Sequence, residues 1–169
     1  LQFHMVSIFE DSQLSAAAAA AAFVPIAMAS AGTRLVGGYL VDRIAVRWLL
    51  AAALVFQTTS LLMAPNLEGR ATALIYGIIL GTTGGLQLTV GSVVWPMYYG
   101  RRHLGAISGV ASMVLIIASA LGPMPMGIAR DLLGNYRIML TIAAALPLLL
   151  AVFTLTLRRP RRPEPQSLT

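Results

Sequence analysis

A single arginine, Arg34, stands within a long apolar stretch and is the residue best suited to bind a ligand. If the stretch is a membrane helix, its central charge costs about 2.5–3.5 kcal/mol on insertion scales and usually marks a pathway or a pair. The helical neighbours Ala27, Ser30, Gly37 and Gly38 are small or polar, which predicts that this face points inward. Because a guanidinium keeps its proton and binds carboxylates bidentately, Arg34 with Ser30 is predicted to bind an anion. The alternative is that Arg34 extends to water at the helix end.

Two further polar side chains, Gln87 and His4, lie in apolar surroundings and are candidates to line the same cavity. The alternative for Gln87 is a hydrogen bond between helices, and for His4 a satisfied histidine near a helix end. The chain has two distant histidines, no cysteine and no carboxylate inside a complete apolar run. It therefore predicts no metal site and no cofactor, and it argues against an intramembrane enzyme.

Three charged residues, Asp42, Arg43 and Arg47, follow Gly38 and form a turn after the arginine-bearing stretch. The Asp42 carboxylate could face the positive N-terminus of a neighbouring helix, such as the one beginning near Leu104, for about 0.3–1 kcal/mol. Arg43 or Arg47 could pair with that carboxylate or with a lipid phosphate. Such a latch would close one side of a gate. The alternative is a loop of solvated charges that only sets the orientation in the membrane.

Long stretches without formal charge separate the arginines, and they predict membrane-spanning helices. About 20 apolar residues cross the roughly 30 Å hydrocarbon core, where only helices and closed barrels satisfy their backbone. Barrel strands need only about 10 residues, so runs of this length favour helices. The predicted fold class is all-α, a polytopic transmembrane bundle with a partial first span at 1–9 and complete spans at about 15–40, 48–64, 71–94, 104–128 and 138–157.

The composition supports a membrane domain and disfavours other classes. Hydrophobic residues make up 57% of the chain and charged residues 11%, less than half of the about 25% usual in soluble domains. We expect one transmembrane domain over 1–157 and a basic, proline-rich cytoplasmic tail over 158–169. The net charge of +6 does not indicate nucleic acid, because the arginines lie at span ends rather than on one soluble face. The predicted partner is the lipid bilayer, and the apolar start at Leu1 predicts a fragment.

The distribution of arginines predicts how the chain is oriented. Cytoplasmic loops of membrane proteins carry an excess of lysine and arginine, and aromatic rings gather at both interfaces. With the charged turn placed inside, eight arginines are cytoplasmic and three are external, which predicts an inner (plasma) membrane protein with a cytoplasmic C-terminus. The inside set is Arg43, Arg47, Arg101, Arg102, Arg158, Arg159, Arg161 and Arg162, and the outside set is Arg70, Arg130 and Arg137.

Glycines recur at helical spacing in two of the predicted spans. Gly77, Gly81 and Gly85 form a GxxxG-type stripe, and Gly105 and Gly109 share a face of the next span. Small residues at this spacing allow helices to pack closely in lipid. The alternative for the first stripe is a bendable helix beside a substrate path.

The end of the fourth complete span is rich in glycine and proline. It contains Gly122, Pro123 and Pro125. The two prolines lack amide hydrogens and free the carbonyls four residues earlier. These carbonyls need other partners in lipid, so we expect a kinked end that is buried in protein or faces water.

The charged turn resembles a signature of the major facilitator superfamily, G-x-x-x-D-R-x-x-x-R, which follows the second helix of each six-helix half. Here it reads Gly38-Tyr39-Leu40-Val41-Asp42-Arg43-Ile44-Ala45-Val46-Arg47. Two later stretches are similar to the entry and exit of that family's eleventh helix, namely Tyr99-Gly100-Arg101-Arg102 with Gly105, and Gly122-Pro123 with Gly127, Asp131 and Gly134-Asn135-Tyr136. The resemblance implies helices seven (partial) to twelve, a C-terminal half whose partner is a missing N-terminal six-helix half.

Within this superfamily, the stretch from Phe23 to Gly38 looks like the monocarboxylate and oxalate/formate antiporter branch, where an arginine in this helix is implicated in carboxylate binding. The resemblance implies a secondary active transporter, an antiporter or symporter, that moves a small organic anion such as a monocarboxylate by alternating access. Oxalate-type members also use a lysine in the eleventh helix. This chain has no lysine, which disfavours a doubly charged substrate. The alternatives are a drug or neutral-solute efflux transporter and a non-transporting membrane remnant or scaffold.

Overall fold

The computed structural model describes residues 16–67, 69–100, 103–122, 124–125, 127–128 and 137–156. The predicted partial span at 1–9 with His4, the predicted helix-end residue Pro123, and the tail at 158–169 lie outside the described residues.

Every regular element in the described ranges is helical, which confirms the all-α prediction. The helices are α1 (Ala16–Val41), α2 (Val46–Met63), α3 (Arg70–Tyr99), α4 (Leu104–Leu121) and α5 (Arg137–Thr156), with a 3₁₀ turn at Ala64–Asn66. Within these ranges, five stretches of 18 to 29 residues are long and apolar enough to cross a membrane. They include Phe23–Val41, which contains Arg34, and Val46–Asn66, which follows the charged turn.

α3 extends beyond its predicted end near residue 94. It continues through Pro96 to Tyr99. The proline removes one backbone N–H donor, whereas the residues in the surrounding turns keep theirs. The helix therefore lacks a single hydrogen bond and continues past the proline. It stops at Gly100, whose amide donates to the Pro96 carbonyl at 3.1 Å and whose φ of +72° suits a residue without a Cβ.

α4 is shorter than the predicted span of 104–128. The regular helix ends at Leu121, and the Gly122 amide donates to the Ala118 carbonyl at 2.8 Å. The next residue in the chain is a proline, which has no amide hydrogen with which to extend the ladder. Residues 124–125, which include Pro125, are also helical. The regular helix is therefore broken at Gly122, and the full extent of the predicted span stays a prediction.

α3 is the central helix of the described part, with α1 and α2 packed against it and α5 packed against α2. Two clusters of buried apolar side chains hold these helices together. The first joins α1, α2, α3 and α5 and comprises Ile26, Leu61, Ala64, Leu67, Ala73, Tyr76, Leu80, Leu140 and Ala144. The second joins α2 and α3 near the charged turn and comprises Val46, Leu49, Ala53, Leu86 and Val90.

α5 is not uniformly exposed, although its apolar sequence predicts a lipid-facing helix. Its buried residues alternate at spacings of four and three, a pattern that keeps one side of a helix against a partner. This stripe packs on α2 and comprises Leu140, Ala144, Pro147, Ala151 and Thr154. Composition could not reveal it, because leucine and alanine serve equally well against lipid and against a helix.

α4 contributes no buried residue to the described part. A Cβ at Gly105 or Gly109 would meet nothing within 4 Å. The close helix contact predicted for these two glycines is therefore not made by any described residue. In Gly122, a Cβ would meet only the carbonyls of its own preceding turn.

Candidate functional site

The glycine stripe of α3 brings its backbone against α1. A Cβ at Gly85 would lie 2.7 Å from the Ser30 carbonyl oxygen and 2.8 Å from the Thr33 Cβ. A Cβ at Gly81 would overlap the Ile26 carbonyl oxygen. These contacts leave room for hydrogen only, so glycine is required at both positions. Gly77, the first member of the predicted stripe, is also buried.

The contacts between α1 and α3 advance in the same direction along both helices, so the two helices run parallel. Gly85 meets Ser30 and Thr33, and further along Thr89 meets Gly37, where a Cβ would lie 3.1 Å from the Thr89 Oγ1. Arg34 falls between the two contact points on α1. Gln87 falls between the corresponding points on α3. The predicted cation and the predicted amide therefore occupy the same level of the bundle.

The structure divides the small-residue face predicted around Arg34. Gly37 is buried and Ser30 is half-buried against α3, whereas Ala27 and Gly38 are exposed. Arg34 is itself exposed, at the border of the contact with α3. It lies seven residues, or about 10 Å, before the end of its span at Val41. The exposed side chain therefore lies within the apolar part of α1.

Gln87 is bonded to a residue that the sequence analysis missed. Its Nε2 donates to Oε1 of Gln57 on α2 at 3.4 Å, while Gln87 remains exposed and Gln57 is half-buried. The interhelical hydrogen bond considered as the alternative for Gln87 is therefore present. The signal that could have found Gln57 is its position as an amide in the middle of a helix whose central part is otherwise apolar or hydroxyl-bearing.

Three threonine hydroxyl groups near this level form hydrogen bonds within their own helices. Thr89 donates to the Gly85 carbonyl at 2.9 Å, and Thr83 donates to the Ile79 carbonyl at 2.9 Å. Thr58 donates to the Leu54 carbonyl at 2.9 Å in the same way. Such back-bonding allows threonine to sit in lipid or in a packed interface without another partner. With these three threonines satisfied, Arg34, the two amides and Ser30 are candidates to select a polar ligand.

The charged turn ends α1 with two amides, of Arg43 and Ile44, that donate to the Leu40 carbonyl at 2.9 and 2.8 Å. Asp42 is exposed beside them. The guanidinium carbon of Arg43 lies 3.9 Å from the centroid of the Tyr39 ring. Arg43 is therefore stacked on an aromatic ring, and the latch predicted for Asp42 stays a prediction.

Arg47 lies on the other side of the turn, in the first turn of α2. Its guanidinium carbon is 5.8 Å from the centroid of the exposed Trp48 ring, and its side chain is half-buried. Both arginines of the predicted signature thus approach aromatic rings, at 39 and 48, that the resemblance did not assign.

A cavity of about 420 Å³ lies between α3 and α4, near the hairpin that joins them. Its lining is apolar and aromatic and consists of Trp95, Tyr99, Ala106, Ile107, Val110 and Ala111. Arg34 and Gln87 are not among the residues that line this cavity. Among the described residues, no three histidine, aspartate or glutamate side chains gather, so this part of the chain offers no metal-ligand set.

Five apolar helices of membrane-spanning length, with an arginine inside one span, define a polytopic helical membrane protein. The chain belongs to the Major Facilitator Superfamily, because the model of that family matches residues 3–169. It is thus a multi-pass transporter of this superfamily, whose members lie in a lipid bilayer, bind small molecules and are generally not enzymes. A comparison with curated proteins finds no match.

Proposed function

We propose that this chain belongs to the C-terminal half of a secondary transporter, with the first helix of that half only partly present, and that the transporter moves a small organic anion by alternating access. The observation that carries the proposal is the exposed guanidinium of Arg34 inside the span Phe23–Val41. An intramembrane arginine is costly unless it pairs or faces a polar path, and it keeps its positive charge at every physiological pH. An anionic substrate is the ligand that offsets this cost.

The packing around Arg34 supports a binding role for it. Gly85 and Gly37 press α1 and α3 together on either side of its level, so its backbone is held by a close helix pair. A bound carboxylate gains most from a donor whose position is fixed before binding. Ser30, half-buried one turn before Arg34, and Gln87, at the same level, are the neutral polar groups proposed to line the path.

We infer a monocarboxylate as the substrate class from the balance of charge. Arg34 is the one cation within the described spans that lies away from a helix end, and the chain contains no lysine. One guanidinium neutralises one carboxylate through two parallel hydrogen bonds. A second carboxylate on the substrate would enter the bundle without a partner from this half and would carry its full desolvation cost.

We propose that the charged turn faces the cytoplasm and that the C-terminus lies on the same side, in the plasma membrane. The excess of arginine at this end supports the assignment through the positive-inside rule. In this orientation Asp42, Arg43 and Arg47 belong to the inner gate, and residues 158–169 form a cytoplasmic tail. A cysteine introduced at Ser167 should then react only with reagent supplied inside, and one at Asn66 only with reagent supplied outside.

Transport by the full-length protein in proteoliposomes tests the role of Arg34. Uptake of a labelled monocarboxylate, a dicarboxylate and a neutral amphiphile would be compared for the wild type, Arg34→Gln and Arg34→Lys. Loss of a charge-assisted hydrogen bond costs about 1.5–3 kcal/mol, so Arg34→Gln should lower monocarboxylate kcat/KM about 10- to 150-fold. Arg34→Lys keeps the positive charge but lacks the planar fork of donors. Its kcat/KM should lie between those of the wild type and Arg34→Gln.

The matched control is Arg137→Gln, which removes an exposed arginine at the first turn of α5 and should leave kcat/KM unchanged. Wild-type monocarboxylate kcat/KM in Arg34→Gln would refute the binding role and indicate that the arginine extends to water. Transport of the neutral amphiphile alone would favour the efflux alternative. Failure of the wild type to move any of the three would support a non-transporting protein.

A further inference from the structure

The turn between α1 and α2 joins two apolar segments of membrane-spanning length, which predicts that it lies at the depth of the lipid headgroups. One membrane-spanning stretch ends at Val41 and the next begins at Val46, so residues 42–45 lie between two apolar segments. Tyr39 and Trp48 flank these residues, and both rings are more than half exposed. Tyrosine and tryptophan prefer this interfacial depth because one part of each ring system is apolar and another is polar.

The stacking of Arg43 on Tyr39 decides which part of the guanidinium remains available. At 3.9 Å from the ring centroid, one flat face of the group is covered. The five N–H donors lie in the plane of the guanidinium and point outward from its edge. A stacked arginine therefore presents a fixed fork to a phosphate, with less rotamer freedom to lose than a solvated side chain has.

We propose that Tyr39, Arg43, Arg47 and Trp48 form a binding site for the phosphate of an anionic phospholipid. Arg43 supplies the exposed fork, and Arg47 brings a second positive charge from the opposite side of the turn, beside Trp48. Arginine binds phosphate oxygens bidentately, which matches the phosphodiester of a lipid headgroup. The site does not depend on Arg34 or on the nature of the transported substrate.

The surroundings favour a lipid over a free phosphate ion. Ile44 at the tip of the turn is 38% exposed, and the Tyr39 and Trp48 rings are 57% and 53% exposed. These apolar surfaces would contact the glycerol backbone and the first carbons of the acyl chains, whereas an inorganic ion would leave them in water. Interfacial basic residues each contribute about a fivefold preference for an anionic membrane surface.

One opposing charge lies within the site. Asp42 is exposed and directly precedes Arg43, so its carboxylate repels a phosphate held there. With two arginines and one aspartate, the turn has a net charge of about +1. It therefore attracts a phosphate less strongly than the two arginines alone would. Removing the carboxylate should strengthen lipid binding.

Trp48 provides a local reporter of the bound lipid. The full-length transporter, with Trp95 and any further tryptophans replaced by phenylalanine, would be placed in nanodiscs of phosphatidylcholine with 10% brominated lipid. Bromine on the acyl chain quenches a nearby indole. Brominated phosphatidylglycerol should show about fivefold greater local occupancy than brominated phosphatidylcholine.

Substitutions at the turn distinguish an effect of the stacked Arg43 guanidinium from a general effect of positive charge. Tyr39→Phe keeps the ring and should leave the preference unchanged, whereas Tyr39→Leu should lower it about two- to fivefold. Arg43→Gln should bring it close to that of the neutral lipid, and Asp42→Asn should raise it. Arg137→Gln, at the other end of the bundle, is the matched control and should have no effect.

Three results would overturn the proposal. Equal quenching by the two lipids in the wild type would show that no anionic headgroup is selected. Equal preferences in Tyr39→Leu and the wild type would show that the stacked ring does not present Arg43. Loss of the preference on adding millimolar inorganic phosphate, at constant ionic strength set with chloride, would indicate a site for the free ion.

Discussion

Gly85 of α3 lies against the backbone of Ser30 in α1, so closely that a Cβ at position 85 would stand 2.7 Å from the Ser30 carbonyl oxygen. Carbon and oxygen in weak C–H···O contacts between helices are normally separated by about 3.3–3.6 Å. The preceding residue in the chain, Gly84, is not part of the stripe and has nothing within 4 Å of the corresponding Cβ position. Two adjacent glycines of one helix therefore have different constraints.

Gly85→Ala should destabilise the protein, because the added methyl group meets a carbonyl of another helix that cannot rotate away. Overpacking of this kind costs about 1–3 kcal/mol. The measurement is the free energy of unfolding of the full-length protein in mixed detergent micelles. Transport of the proposed monocarboxylate substrate should fall as well, because α1 carries Arg34 on the neighbouring turn.

Gly84→Ala is the matched control for this prediction. It adds the same methyl group to the same helix in open space, and alanine is favoured over glycine in a helix by about 0.8–1.0 kcal/mol in soluble hosts. The free energy of unfolding should therefore stay equal or rise. If the free energy of unfolding falls equally in Gly84→Ala and Gly85→Ala, the requirement for glycine would come from the conformation of the α3 backbone and not from the contact with α1.

Sequence spacing was sufficient to place the glycine stripe on one face of α3, since positions 77, 81 and 85 recur every four residues. It could not name the helix on the other side, because glycine carries no charge or shape that distinguishes one partner from another. The same holds for Gly105 and Gly109, whose spacing is equally regular and which meet no described residue. A small-residue pattern predicts that close packing is possible; which helix fills the space depends on the rest of the bundle.

Gln57 and Gln87 should be energetically coupled across α2 and α3. Each amide loses a partner when the other is replaced, and an unsatisfied polar group in an apolar setting carries its own cost. In Gln57→Leu and Gln87→Leu the free energy of unfolding should fall, and the double variant should lose less than the sum. Coupling between polar side chains in membrane helices averages about 0.6 kcal/mol and reaches about 1.7 kcal/mol.

Thr59→Val is a suitable control for this cycle. Thr59 is exposed on α2 and donates to the Val55 carbonyl within its own helix, so its removal should add to Gln87→Leu without coupling. Strict additivity in the Gln57/Gln87 cycle would contradict the hydrogen bond. Coupling of similar size with Thr59 would show that the cycle reports a general change in α2.

The position of Arg34 within an apolar run was evident from charge spacing alone, but its surroundings were not. The prediction treated Ala27, Ser30, Gly37 and Gly38 as one inward face, whereas α3 covers Gly37 and leaves Gly38 open. Helical periodicity groups residues to within a wide arc, and a neighbouring helix occupies only part of it. An interhelical bond of Gln87 is expected as an alternative, but its partner, Gln57, cannot be read from the sequence, since the pair is separated by 30 residues and forms only after α2 folds back on α3.

Ala144→Leu should destabilise the contact between α5 and α2. Ala144 is 3% exposed and belongs to the apolar cluster with Leu61 and Leu140, so the longer side chain must displace packed neighbours. The expected loss in the free energy of unfolding is about 1–3 kcal/mol. Ala145→Leu makes the same change one residue further, where the side chain is exposed, and should be tolerated. Equal stability of the two variants would contradict a packed stripe on α5 and would favour the lipid-facing helix that its apolar sequence predicts.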